Sequence, residues 1–559
     1  MTLVNRFDRN RAGIAYFSME IALRGDIPTY SGGLGVLAGD TVRSAADLNV
    51  PLVAVSLVSR KGYFKQKLRQ DGEQTELPAD WDPAKTAEEL PTKVSVKIKG
   101  RDVLIRAYNY SVSSPKGGTV PVLLLDTDFE ANPPEDRTIT HYLYGGDLEY
   151  RLKQEIVLGV GGVRMLDALG FKISRYHMNE GHSALLALEL LRQSQLNVDR
   201  VKSMCIFTTH TPVEAAFDKF DYPLVERVLG ELVPSEIIRR YGGEDRLNMT
   251  LLALNLSDYI NGVSKSYGEY SAKLFPGYKV HAITNGVHSF TWTCTHFKRL
   301  FDRYLPGWAD EPSLLTRVGI IPDELILDAH REAKEDLFAC IKRMTGVEMD
   351  PKVLTIGFAR RATGYKRPTL IFSDTDRLRK IARRWGIQIV FGGKSHPKDE
   401  TGKRMIKEVF WHIRELKDEI KMVYLEDYDL DLSKMMVAGV DVWLNTPQPP
   451  MEASGTSGMK AAHNGVLNFS VLDGWWVEGW IEGVTGWSIG PRPGEKISPE
   501  ERNLLEREDL YNKLNYIICP TFYEGVDSWA TMMQNSISIL ASYFNSHRMM
   551  RRYVTEAYL

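Results

Sequence analysis

The chain has 559 residues, 43% hydrophobic and 25% charged, enough for two or more cores of ordinary globular composition. A formal net charge of −2 gives no global attraction to nucleic acid or to an anionic membrane. Cys205, Cys294, Cys340 and Cys519 are far apart with no C-x-x-C pair, residues 1–11 are polar without an apolar leader core, and no long apolar run appears, so a disulfide framework, a structural zinc site and a membrane span are disfavoured and a reducing cytoplasm is expected. Short β-rich runs recur at 14–18, 51–58, 120–126, 204–210, 280–285, 353–360, 387–392, 420–425, 440–445 and 466–472. Helix-periodic stretches such as 148–169, 183–193 and 328–344 lie between them, and 91–118 reads as a β-rich excursion. Strands alternating with helices, several of them apolar throughout, imply parallel sheets covered on both faces. A tract rich in Pro and Gly at 305–322 precedes a fresh helix, which places a boundary near 315. The expected division is 1–315, 316–522, and C-terminal helices over 523–559 that cross back to the first domain.

In open α/β sheets ligands bind beyond the carboxyl ends of strands, so the residues that follow each strand carry the functional argument. Gly32-Gly33-Leu34-Gly35-Val36-Leu37-Ala38 opens a helix and matches G-x-G-x-x-A, but Leu57-Val58-Ser59-Arg60 stands where dinucleotide binding needs an acid. What remains is an anion-receptive glycine turn or a structural tight turn. His210, in Thr208-Thr209-His210-Thr211-Pro212, reads as a structural histidine or a site residue, and Thr284-Asn285-Gly286 reads as a turn. Arg360, Arg361, Lys366 and Arg367 crowd the end of an apolar strand; their repulsion calls for an anion, and planar guanidinium groups suit phosphate, the alternative being a solvated basic helix start. Gly393-Lys394-Ser395 tempts a P-loop assignment, but Gln388 occupies the required first glycine. No H-E-x-x-H, G-x-S-x-G or close carboxylate pair supports a metalloprotease, serine hydrolase or glycosidase.

The most informative stretch is 451–460, which follows a strand-like run and sets Lys460 in the first turn of a helix. A helix start leaves amides unpaired, so Gly455, Thr456 and Ser457 could cradle a phosphate there. A lysine just beyond can form a Schiff base with an aldehyde whose phosphate sits there, as enzymes hold pyridoxal phosphate; the alternative is a Ser/Thr cap with a solvated lysine.

Glu452-Ala453-Ser454-Gly455-Thr456-Ser457-Gly458-Met459-Lys460, with Asn464-Gly465 and Leu472-Asp473-Gly474, resembles the cofactor-lysine segment of the α-glucan (glycogen, starch, maltodextrin) phosphorylases, in the variant of their short bacterial and archaeal branch. Matching motifs run in the same order from about Ile14 to Tyr558. The resemblance implies a GT-B-like α/β fold, two Rossmann-like domains facing across a catalytic cleft, with glucan bound by the first and cofactor and phosphate by the second. It implies pyridoxal 5′-phosphate on Lys460, with Arg360, Thr456, Ser457, Tyr428 and Trp292 around it. Arg361 and Lys366 would hold the substrate phosphate and, with His210, form the catalytic set. His210 and Asn285 would hydrogen-bond the hexose, Gly32 and Gly33 would face the substrate phosphate, and Glu452, Ser454 and Gly455 would line the substrate. Glu20, Asn179 and Glu180 also align. The chain departs from the long-chain enzymes at Thr363 and Gly364, where they carry His and Glu, and at Asp429, which replaces a basic residue.

The implied activity is retaining phosphorolysis of an α-1,4-glucan by inorganic phosphate to glucose 1-phosphate, with the cofactor phosphate as proton relay, no metal, and a cytoplasmic homodimer that binds neither nucleic acid nor membrane. Only 13 residues precede Ile14 and 11 separate Glu20 from Gly32, so the resemblance implies no switching by AMP or by N-terminal phosphorylation. Two other readings are a retaining nucleotide-sugar glucosyltransferase of the glycogen-synthase type and a non-catalytic glucan-binding protein with the same fold. The cofactor lysine argues against the first and the intact basic cluster against the second.

Overall fold

The structure, a computed structural model, describes residues 13–210 and 217–559; Thr211 and Pro212 of the His210 segment and the polar residues 1–11 lie outside them. The chain divides into two compact units. Unit one takes the described residues up to Phe64, those of Pro78–Ile283, and Met549–Leu559; unit two takes Lys65–Leu77 and Thr284–Arg548.

Unit one is built on a nine-stranded sheet: β1 (Gly13–Ser18), β2 (Leu52–Leu57), β3 (Glu88–Ile98), β4 (Arg101–Ser113), β5 (Thr119–Asp126), β6 (Ile173–Asn179), β7 (Cys205–Thr208), β8 (Tyr259–Gly262) and β9 (His281–Ala282), in the spatial order β9-β8-β7-β6-β1-β2-β5-β4-β3. Every pairing from β9 to β5 is parallel, and β2 is buried along its whole length, as a strand covered on both faces must be. The β-rich excursion is β3 and β4, an antiparallel extension whose outer strand alternates exposed and buried residues. The helical stretch at 148–169 runs as Leu148–Ile156, a π-turn at Val157–Gly161, and Gly162–Ala168. A Cβ at Gly159 would lie 2.7 Å from the Leu186 amide nitrogen, so small residues let this helix pack flush against its neighbour. In the centre of the sheet the registers Ser18 to Asn179 and Asn179 to Thr208 set three strand ends abreast. Met549, Met550, Tyr553 and Tyr558 join unit one because they bury in the same apolar cluster as Ile14, Val42 and Val122.

Unit two contains a six-stranded, wholly parallel sheet: β10 (Leu354–Ala359), β11 (Ile387–Gly392), β12 (Lys421–Leu425), β13 (Val442–Asn445), β14 (Leu467–Val471) and β15 (Gly486–Ile489), in the order β12-β11-β10-β13-β14-β15. The units part after Ile283, upstream of the boundary expected near 315, because Phe297, Phe301, Leu305, Trp308, Leu315 and Val318 bury in the second unit's core with Trp529 and Met533. For the same reason the helices from 523 stay with unit two as far as Arg548. A hairpin, Lys65–Leu68 with Gln74–Leu77, also belongs to unit two. Gln66 Nε2 donates to the Gly393 carbonyl at 3.0 Å, and Gln74 exchanges hydrogen bonds of 2.9 and 3.0 Å with Ser395. The glycine-lysine-serine run is therefore a clamped strand-end turn. Among the described residues no helix is long and apolar enough to cross a membrane.

Candidate active site

Strand β10 ends at Ala359 and delivers Arg360 and Arg361 to the carboxyl edge of the unit-two sheet, and the 3-10 turn Gly364–Lys366 brings a third cation back to it. Glu452, on the turn after β13, takes two of them: its Oε2 accepts from Arg360 Nη2 at 2.5 Å and from Lys366 Nζ. Burial alone would raise this carboxyl, but the facing Arg360 and Lys366 outweigh it and hold it down at about 2. The chain thus supplies an anion for its own cation cluster. Arg367 is engaged elsewhere, with the carbonyls of Thr446 and Pro447 at 2.9 and 2.8 Å and with Glu506 at 2.6 Å. Arg361 is exposed and forms no ion pair among the described residues, and the buried Nη1 of Arg360 has no hydrogen-bond partner.

Beside this cluster Gly455, at φ +74°, turns the chain into the helix Ser457–Ala462, whose cap residue Thr456 makes no side-chain bond to the helix amides. Lys460 is only 6% exposed, with its ammonium 4.0 Å from the ring centre of Trp292. Two residues without a role in the sequence reading tie these together. Asn464 donates to the Trp292 and Lys460 carbonyls at 2.9 and 3.1 Å and accepts from the Cys294 amide at 2.8 Å, while His463 meets Ser289 Oγ at 2.9 Å. Asp473 backs the other side of the turn, accepting from the amides of Glu452 and Gly474, both at 2.9 Å. Burial pushes its carboxyl up to about 7, against the pull of the Glu452 amide. Next to it the Ser454 carbonyl accepts from the Trp475 amide at 2.8 Å, and a Cβ on Gly474 would lie 2.3 Å from that same oxygen.

Tyr428 donates to Ser433 Oγ at 2.8 Å, and burial raises its hydroxyl to about 12 despite that bond. Asp429 caps the helix Leu430–Gly439 by accepting from the Leu432 amide at 2.9 Å, which gives the acidic departure a local structural reason. Of the other departures, Thr363 has a buried Oγ1 with no partner among the described residues, and Gly364 opens the turn to Lys366. Asn285 is buried with its Oδ1 unpartnered among the described residues, while its carbonyl accepts from Arg548 at 2.9 Å.

In unit one the glycine turn caps the helix Gly33–Asp47. Glu20 holds it: Oε2 accepts from the Ser31 and Gly32 amides at 2.6 and 3.1 Å, and Tyr144 donates to Oε1 at 2.9 Å. The Gly32 amide therefore faces inward to a carboxylate rather than outward, as expected for a phosphate contact. Gly32 has extended backbone at φ −164°, and a Cβ at Gly32 or Gly33 would meet no atom within 4 Å, so crowding does not require glycine at either position. Bare backbone facing open space is what close approach of a ligand needs.

His210 follows β7, with its amide 2.5 Å from Glu180 Oε1 and its Nε2 2.6 Å from Asn179 Oδ1. Burial, and then the neighbouring His182, hold its pKa down to about 3, so the ring is neutral. Glu180 has φ 73° and ψ 172°, a backbone region almost reserved for glycine, and its side chain accepts from the Gly181 amide at 3.1 Å. Within unit two the structure brings together Arg360, Lys366 and Glu452, and Lys460 with Trp292; within unit one it brings together His210, Asn179 and Glu180.

A match to the family described as carbohydrate phosphorylase covers residues 232–482. The chain is 40% identical to the maltodextrin phosphorylase of Thermococcus litoralis, over 98% of its own length and 70% of that protein's. It is 36% identical to the glycogen phosphorylase of Aquifex aeolicus, over 99% and 87% of the two lengths. Against the glycogen phosphorylase of Mycobacterium tuberculosis the identity is 36%, over 98% and 70%.

Proposed function

The chain belongs to the carbohydrate phosphorylase family, and on that footing we propose that it cleaves the terminal glucose from an α-1,4-glucan of maltodextrin or glycogen type with inorganic phosphate, giving glucose 1-phosphate with retained configuration. The observation that carries this reading is the segment around Lys460: a buried amine against an indole, on the same turn and helix as Glu452, which holds a guanidinium whose Nη1 has no hydrogen-bond partner among the described residues. That donor set fits pyridoxal 5′-phosphate: Lys460 would take its aldehyde and Arg360 its phosphate, and Trp292, Tyr428, Thr456 and Ser457 would complete its surroundings. When bound, the group supplies a phosphate that relays a proton to the inorganic phosphate.

Arg361 and Lys366 hold the inorganic phosphate, and Glu452 keeps Lys366 and Arg360 in place beforehand. Two phosphates brought together repel strongly at low dielectric, and these cations with the Gly33 amide offset that repulsion and pre-organise charge for the transition state. Inorganic phosphate gives its proton to the glycosidic oxygen as the bond to C1 breaks, and one of its oxygens then bonds C1 on the same face. His210 and Asn285 meet hexose hydroxyls, with Ser454 and Gly455 against the sugar. The reading includes a GT-B-like fold and a cytoplasmic homodimer.

Maltodextrin with and without phosphate tests the function. Glucose 1-phosphate should form only with phosphate, from protein that absorbs in the near ultraviolet or visible. Free glucose released without phosphate dependence, or glucose transferred from a nucleotide sugar by protein with no such band, would overturn it.

A further inference from the structure

Ser18 closes β1, Asn179 closes β6, and His210 stands just past the end of β7, so three neighbouring strand ends present a linked set of polar groups. The Ser18 hydroxyl has one proton and gives it to the Glu20 carbonyl at 2.7 Å. Its oxygen therefore accepts from its other neighbour, the Asn179 side chain 3.0 Å away, where only Nδ2 has hydrogens to give. That orientation turns the Asn179 carbonyl oxygen toward His210, whose Nε2 is 2.6 Å from it. An amide oxygen only accepts, so Nε2 carries a proton. The flipped amide would set its oxygen against the Ser18 oxygen with no hydrogen between them, and the network excludes it.

The ring holds one proton, because burial and His182 keep it neutral down to about pH 3. Nδ1 is then a lone pair, and no described residue donates to it. We infer that Asn179 is a positioning residue that fixes His210 as the Nε2–H tautomer, so that Nδ1 meets the hexose as an acceptor and selects a sugar hydroxyl that donates. This rests on the proposed contact of His210 with the hexose. A neutral histidine left to rotate and tautomerise could serve either a donor or an acceptor; a ring pinned by Asn179 serves one. Ser18, by orienting the amide, specifies the ring proton at one remove.

Two measurements test this. In holoenzyme labelled with 15N-histidine and free of sugar, with the His210 signals assigned by their loss in His210→Gln, Nε2 should be protonated and Nδ1 not, as a single tautomer near neutral pH. A proton on Nδ1, or an even mixture, would overturn the inference. The second measurement runs the reaction in the synthetic direction with monodeoxy and monofluoro glucose 1-phosphates. At one hydroxyl position both should lose roughly five- to tenfold in kcat/KM, the scale of one neutral hydrogen bond, with fluorine no better than hydrogen because it cannot donate. Activity that fluorine preserves and hydrogen loses at every sensitive position would show His210 donating and refute the assignment.

Asn179→Leu should mix the tautomers and shrink that discrimination, and Ser18→Ala, which leaves Asn179 beside His210 and removes only the group that orients its amide, should do so in part; a parent-like single tautomer in both variants would overturn the positioning role, and a folding defect in the first alone does not decide the matter. A single Nε2–H tautomer in protein that makes no glucose 1-phosphate would overturn the proposed activity and still support the assignment of the ring proton.

Discussion

Replacing Glu452 with glutamine keeps the side-chain shape and removes the charge that Arg360 and Lys366 share. The carboxyl is only 10% exposed, and its pKa falls from 4.5 to about 2. At about 1.36 kcal/mol per unit, that depression is worth about 3 kcal/mol of folding free energy. The folded pKa lies below the unfolded one, so the contribution is complete above 4.5 and disappears as the pH falls toward 2. In urea unfolding without added phosphate, Glu452→Gln should be less stable than the parent by about 3 kcal/mol near neutral pH, and the gap should close as the solution is acidified through that window. A second readout separates charge loss from general damage. Two cations without their carboxylate attract an anion more strongly, so added phosphate should stabilise the variant more than the parent, by the mass action of binding to the folded state. Equal stability of the two proteins near neutral pH, or equal stabilisation by phosphate, would refute the pairing on which the cation cluster is explained.

Lys460→Ala should abolish covalent retention of pyridoxal phosphate; borohydride reduction of the parent and peptide mapping should place the label on Lys460, and label on another lysine would sink the assignment. Arg361→Ala should lower phosphorolysis at least tenfold, about 1.4 kcal/mol of transition-state stabilisation, and should raise the KM for phosphate more than the KM for glucan in initial-rate kinetics. Glu20→Gln weakens the anchor that gathers the Ser31 and Gly32 amides, so the KM for phosphate should rise several-fold while borohydride labelling of Lys460 is unchanged.

The strands most readable in the sequence are those buried along their whole length, such as β2 and β11, because burial on both sides leaves a nearly unbroken apolar run, interrupted only by Ser56 in the first and Gln388 in the second. Strand β6 is hidden in the sequence because Ser174, Arg175 and His177 interrupt its apolar pattern, although His177 is satisfied internally by Tyr558 and Thr208, both at 2.7 Å. The hairpin of unit two has no place in the sequence reading; it is ordered by glutamine amides that reach carbonyls more than 300 residues away, a relation no local pattern encodes. The basic cluster was legible as a set of cations, but not its division: Arg367 serves structure, Arg360 and Lys366 share Glu452, and Arg361 forms no ion pair among the described residues. Lys460 was legible because its neighbours are small and consecutive. Asn464 and His463, which lock Trp292 and Ser289 to the same helix, act across more than 170 residues of sequence.

The backbone at Glu180 has a bearing on how this protein would respond to selection for thermal endurance. A conformation that glycine adopts freely and glutamate does not stores on the order of 1–3 kcal/mol, of which a glycine would return part, less about 0.5–1 kcal/mol of added chain entropy in the unfolded state. A screen for heat resistance alone should therefore enrich Glu180→Gly in backgrounds where the Gly181 and His210 amides find another acceptor, since losing both bonds would cancel the gain. The same replacement deletes the carboxylate that receives the His210 amide, so the survivors of such a screen should be sturdier proteins with a slackened hold on His210. Strain kept at that one residue marks where durability and turnover pull the sequence in opposite directions.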